Sequence, residues 1–136
     1  MIDVKELSIG DWLRCNDINI QVAAIGKTVG FFDCNNHIYW AYEGLDRIDT
    51  IPLTEDILVK NGFEKSERWH NCTMRTSDDF RICVQFKCGG SVDYITIMKH
   101  FNDLINRDVD VALSIHHVHQ LQHLLRLCGI EKEIEL

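Results

Sequence analysis

The chain has 136 residues, 46% of them hydrophobic, with a formal charge of −7 and a single proline. That is enough for one compact domain or a domain with a small appended module, burying about two thirds of the surface exposed when unfolded. The composition gives no sign of a long flexible linker, an internal repeat or a low-complexity tract, and no apolar run approaches the roughly 20 residues of a membrane span.

The N-terminus, Met1-Ile-Asp-Val-Lys-Glu6, alternates charge and hydrophobe and lacks the basic and apolar regions of an export signal, so the expected location is the cytoplasm. Leu7 and Ile9 precede a Gly10-Asp11 turn, and Trp12 and Leu13 follow it. Ile18 to Val22 alternates with period two, and Thr28 to Cys34 and His37 to Tyr42 are rich in β-branched and aromatic residues. Asn35-Asn36 between the last two suits a hairpin turn. Four or five short strands in this space predict a small SH3-like barrel or bent sheet over residues 1–53, with a plain meander as the alternative.

Thr54 is placed to cap a two-turn helix over Glu55 to Lys60, with Leu53 and Leu58 as a hydrophobic staple and Asn61-Gly62 as its stop. Beyond it, Phe63 to Thr73 is a weak strand candidate and Ser77-Asp78-Asp79 a turn. Phe80 to Cys88 alternates apolar and polar residues cleanly, and Gly89-Gly90 turns the chain into further strands over Val92 to Phe101 and Val109 to Leu113. Ser114 then reads as the N-cap of a terminal helix over 114–128. Gly129 stands at its end, and Ile130 closes over Leu125. The tail residues Ile130, Ile134 and Leu136 favour docking over a loose end. The predicted whole is α+β: the N-terminal barrel-like module, a short helix, and a second antiparallel sheet packed by the C-terminal helix within residues 54–136, with one core shared between the modules as an option.

Several segments, Glu6-Leu-Ser-Ile-Gly-Asp-Trp12, Ile51-Pro-Leu-Thr-Glu-Asp-Ile-Leu-Val-Lys-Asn-Gly-Phe63 and Val118 to Leu136, resemble a group of short uncharacterised proteins carried by Bacteroides-type gut bacteria and their prophages or mobile elements. The stretch from about Lys65 to Asp110 departs most from that pattern. The resemblance implies a bacterial or phage cytosolic origin and supplies no catalytic residue.

The terminal helix carries the densest chemistry. On a helical wheel, at about 100° per residue, His116, His119 and His123 share one stripe opposite Val118, Leu121, Leu125 and Cys128. A solvated polar face accounts for that stripe. His119 and His123, four apart, are the metal candidates together with His116, but the helix holds no carboxylate to support them and no H-E-x-x-H pattern. His117 lies nearer the apolar side, as a core histidine would. No metal and no cofactor are therefore expected. The six cysteines include no C-x-x-C spacing, and Cys83 and Cys88 fall on opposite faces of a strand, so reduced and mostly buried thiols are expected. Gly26-Lys27-Thr28 lacks the earlier glycine of a phosphate loop, and Asp78-Asp79 reads as a solvated turn.

Trp12, Phe31, Phe32, Tyr39, Trp40 and Tyr42 crowd the first module, and strand alternation turns some of them outward. Trp40 and Tyr42, with His119 and His123, are the partner-binding candidates. The negative charge and the scattered basic residues disfavour nucleic acid. The reading that follows is a non-enzymatic cytosolic module that binds protein. The alternatives are a phage-type acidic inhibitor of a host defence nucleoprotein complex, and a metal-dependent enzyme using the histidine stripe.

Overall fold

A computed structural model of the chain describes residues 4–25, 29–32, 38–40, 48–75, 80–100 and 108–136. It divides into two compact units, Met1–Pro52 with His117–Glu133, and Leu53–His116 with Ile134–Leu136. Each carries one antiparallel five-stranded sheet, and the class is α+β as expected.

The first unit opens with a short 3-10 turn at Val4–Glu6 and contains β1 (Trp12–Cys15), β2 (Ile18–Ile25), β3 (Val29–Phe32), β4 (Ile38–Trp40) and β5 (Ile48–Thr50). The sheet order is β4-β3-β2-β1-β5. Asn16 and Asp17 join β1 to β2 with φ of 48° and 65°. Their short polar side chains tolerate this left-handed pair, which matches the twist of the flanking strands. Leu13, Ile20, Val22 and Ile48 share one face and, with Leu7, form the core, against which Cys15 and Phe31 pack. The SH3-like barrel is not confirmed. Among the described residues β4 and β5 each pair on one side only, so the sheet stays open. The expected Asn35-Asn36 hairpin lies outside the described residues.

The second unit begins with α1 (Glu55–Lys60) and continues through β6 (Glu64–Lys65), β7 (Asn71–Arg75), β8 (Phe80–Phe86), β9 (Val92–His100) and β10 (Asp108–Leu113), which pair in sequence as a meander. The helix forms where the local signals place it. The Thr54 hydroxyl accepts from Ile57 N–H at 3.3 Å, and Leu53 and Leu58 are both buried. On the sheet, Cys72, Met74, Ile82, Val84 and Ile95 are buried on one face. An ion pair between Lys65 and Glu55 ties β6 to α1 on that side. The chain end docks here as well. Ile134 is buried, and Asn61 binds Glu135 both ways, donating to its carbonyl at 2.7 Å and accepting from its N–H at 2.8 Å. Asn61→Ala would strip both bonds and a third to the Ile57 carbonyl. We expect a loss of about 2 kcal/mol in a denaturant titration.

The C-terminal helix differs from its expected form in two ways. First, α2 runs from Val118 to Leu127 with His117, not Ser114, as N-cap. Residues 114–116 lie outside the helix, and polar groups of Ser114 and His116 are engaged elsewhere. The His116 ring contacts the Val92 carbonyl at 3.1 Å and the Ser114 hydroxyl at 3.0 Å, and the His116 carbonyl accepts from Leu53 N–H at 2.9 Å. Second, α2 belongs to the first unit and not to the second sheet. Its C-terminus does follow the sequence: Gly129 has φ of 71°, Ile130 N–H reaches the Leu125 carbonyl at 2.8 Å, and Gly129 N–H reaches Arg126 at 3.0 Å.

Candidate functional sites: a buried carboxylate and an open aromatic face

Between the 3-10 turn and β1 the chain reverses at Ser8–Asp11. Asp11 N–H donates to the Ser8 carbonyl at 3.1 Å, and the Asp11 carboxylate accepts from Ser8 N–H at 2.7 Å. Backbone bonds from Gly10 N–H to the Val22 carbonyl (2.7 Å) and from Val22 N–H to the Asp11 carbonyl (2.9 Å) fix the turn to β2. Gly10 adopts φ of +91°, and a Cβ there would meet the Arg126 guanidinium at 3.3 Å. Both effects oppose a side chain. Gly10→Ala is expected to lower stability by about 1–2 kcal/mol, read from its thermal midpoint.

Three side chains of α2 close over this turn. Gln122, itself buried, accepts from Trp12 N–H at 2.9 Å and donates to the Gly10 carbonyl at 3.0 Å. His123 Nε2 meets Asp11 Oδ2 at 2.7 Å, while Arg126 donates to Asp11 Oδ1 and to the Ile9 carbonyl, each at 3.3 Å. The Asp11 side chain is 0% exposed. A buried carboxylate persists only when paired and hydrogen-bonded, and here both oxygens are occupied.

The histidine stripe does not take its expected form. His116 lies before the helix, in the second unit. His119 does not face water but is 2% exposed, and its Nδ1 has no hydrogen-bond partner. It contacts His117 and His123, with ring centroids 6.0 and 5.9 Å apart. Burial, chiefly, holds its pKa below 6.5; Asp11 opposes that shift, and His123 and His117 add to it. The carboxylate missing from the helix sequence is supplied by residue 11. It orients His123 much as a general base is oriented. However, among the described residues no hydroxyl or thiol is hydrogen-bonded to His123, and none of the His, Cys, Asp and Glu side chains form a group of three placed to hold a metal. The arrangement joins a helix to a turn and presents no free carboxylate to a substrate.

Thiol chemistry finds little support at the buried sites. Burial pushes the Cys72 thiol up to about 11 and also raises Cys128. Thiols held protonated are poor nucleophiles. Cys15, Cys72, Cys83, Cys88 and Cys128 are free, but only Cys72 is fully buried and Cys88 is exposed, so the expectation of mostly buried cysteines is too strong.

The aromatic candidates also move. Trp40 lies in β4 opposite Gly30, and its side chain, like all of Tyr42, falls outside the described residues. The aromatic side chains seen exposed are Phe32 in the first unit and Trp69 and Tyr94 in the second. Register places Asn71, Gln85 and Tyr94 side by side across β7, β8 and β9, with Thr73, Cys83 and Thr96 in the next row on the same face. This is the face opposite α1. Trp69, 69% exposed, stands just before Asn71. The Ser66 hydroxyl accepts from Arg68 and Trp69 N–H, and the His70 carbonyl accepts from Phe86 N–H and the Gln85 amide, which fixes the loop to the sheet. The sequence did hold a signal for Trp69: a lone indole among Glu64, Lys65, Glu67 and Arg68 has little apolar company to bury it.

Comparisons of the chain with protein-family models, with curated proteins and with solved structures return no match.

Proposed function

We propose that this protein is a non-enzymatic, cytosolic protein-binding module that engages its partner through the open face of the second sheet, with Trp69 and Tyr94 as anchors. The observation that carries the reading is the exposure of Trp69, a side chain with more than enough area to reward burial, on a loop held by hydrogen bonds. Trp and Tyr are the residues that dominate binding energy at protein interfaces, and a pre-positioned anchor loses less entropy on docking. The neighbouring row of Thr73, Cys83 and Thr96 is low in profile and able to hydrogen-bond. The chain's charge of −7 favours a protein partner over nucleic acid. Free thiols suit a reducing compartment. The Asp11 cluster supports the same reading, because its charged groups are spent on one another.

Peptides selected against the protein from a random display library test this. Trp69→Ala and Tyr94→Ala are expected to leave unfolding within about 0.5 kcal/mol of wild type, since both side chains are exposed. Trp69→Ala is expected to weaken the selected peptides by about tenfold or more. Binders indifferent to both substitutions would overturn the assignment of this face.

A further inference from the structure

We propose that His119 is an acid-sensitive latch: gaining a proton, it releases α2 from the Ser8–Asp11 turn of the first unit. The geometry leaves that proton nowhere favourable to go. The ring is 2% exposed and its Nδ1 is enclosed without an acceptor, so an imidazolium there would be both desolvated and short of a hydrogen bond. The groups around it do not compensate. From its own helix it meets His117 and His123 at ring-centroid distances of 6.0 and 5.9 Å, and it lies in the first turn, where the helix dipole is positive. From the turn, the nearest buried anion is Asp11, already shared between His123 and Arg126. The 3-10 turn contributes Lys5 and Glu6, and β5 contributes Asp49, all lining clefts beside the ring. Both carboxylates there lie on solvent-exposed residues, where water screens them.

The direction follows from linkage. The ordinary histidine value applies once α2 detaches and His119 reaches water, whereas burial holds the attached ring below 6.5. The detached form therefore binds more protons, and attachment weakens as pH falls below 6.5, by up to about tenfold per pH unit until the attached ring also titrates. Above 6.5 both forms are neutral and the latch is closed. His123 Nε2 meets the Asp11 carboxylate at 2.7 Å, whereas His119 Nδ1 meets no acceptor. The latch thus depends on His119 specifically and not on histidine content.

Hydrogen exchange of the whole protein, corrected for intrinsic rates and compared at pH 7.5 and 5.5, reads the opening directly. The amides of Leu121 to Leu127 are expected to lose about tenfold in protection at the lower pH, while those of β7 and β8 hold theirs. His119→Phe, which keeps a ring but cannot ionise, should abolish the difference, and His117→Asn should retain it. If the phenylalanine variant fails to fold, His119→Gln and the NMR titration of the wild-type ring replace it. Equal loss of protection in the His119 variants and the wild type, or a His119 ring titrating at 6.5 or above, would overturn the proposal.

Discussion

Replacing Asp11 with alanine is expected to destabilise the first unit by about 3 kcal/mol, measured as a shift of its urea midpoint at constant slope. The carboxylate is 0% exposed, and it accepts from a backbone N–H, an imidazole and a guanidinium. Removing it leaves the half-buried Ser8 N–H without its acceptor and His123 and Arg126 without the charge that holds them to the turn. Breaking a buried pair by deleting one partner costs about 3–5 kcal/mol. The lower end applies because His123 and Arg126 are 30% and 45% exposed, so water re-solvates part of what is lost. The asymmetry of the cluster gives a sharper check. Arg126→Ala removes the more exposed and more distant partner and should cost no more than about 1 kcal/mol. Asp11→Asn, which retains the volume and an acceptor for Ser8 N–H, should fall between the two. If Asp11→Ala and Arg126→Ala were equally mild, the turn and the helix would not be joined in the way described.

The elements legible in the sequence are those whose determinants are local. Thr54, Leu53, Leu58 and Asn61 lie within a few residues of one another, and α1 has the bounds they imply. The same holds for the end of α2, where Gly129 and Ile130 make the two backbone bonds that their spacing calls for. The start of α2 was not legible. Ser114 is a good cap by type, but the ring of His116 is held outside the helix at the Val92 carbonyl, 24 positions away. The fate of the histidines was hidden for the same reason. On the helical wheel His119 and Arg126 adjoin Gln122 at the margin of the leucine arc, and residue type alone assigns that margin to water. What covers it is the turn carrying Asp11, 112 positions from His123. Gln122 held an unread clue, since a buried amide needs both a donor and an acceptor opposite it. Gly10 and Trp12 supply them through their backbone, which residue type does not reveal.

Ile82→Ala should be the most damaging single truncation in the second unit, lowering its stability by about 3–4 kcal/mol. Ile82 is 0% exposed within β8, directly opposite Met74 on β7 and Ile97 on β9. Its side chain is therefore flanked by strands on both sides and lies on the face where α1 is held by Lys65 and Glu55. A cavity at such a site has little room to collapse, and the loss of transfer free energy adds to the loss of contacts. The adjacent position on the same strand, Cys83, points to the other face between Thr73 and Thr96. Cys83→Ala should change stability by less than about 1 kcal/mol. A gap of that size between neighbouring residues would follow directly from strand alternation, with one face closed by packing and the other open. It also bears on the proposed binding, because a docking face has to be stable while uncovered. Here the inner face alone carries the second sheet, which leaves Trp69 and Tyr94 free to be changed without unfolding it. Comparable losses from Ile82→Ala and Cys83→Ala in chemical denaturation would mean that both faces are packed, and the aromatic surface would then lose its claim to be a docking site.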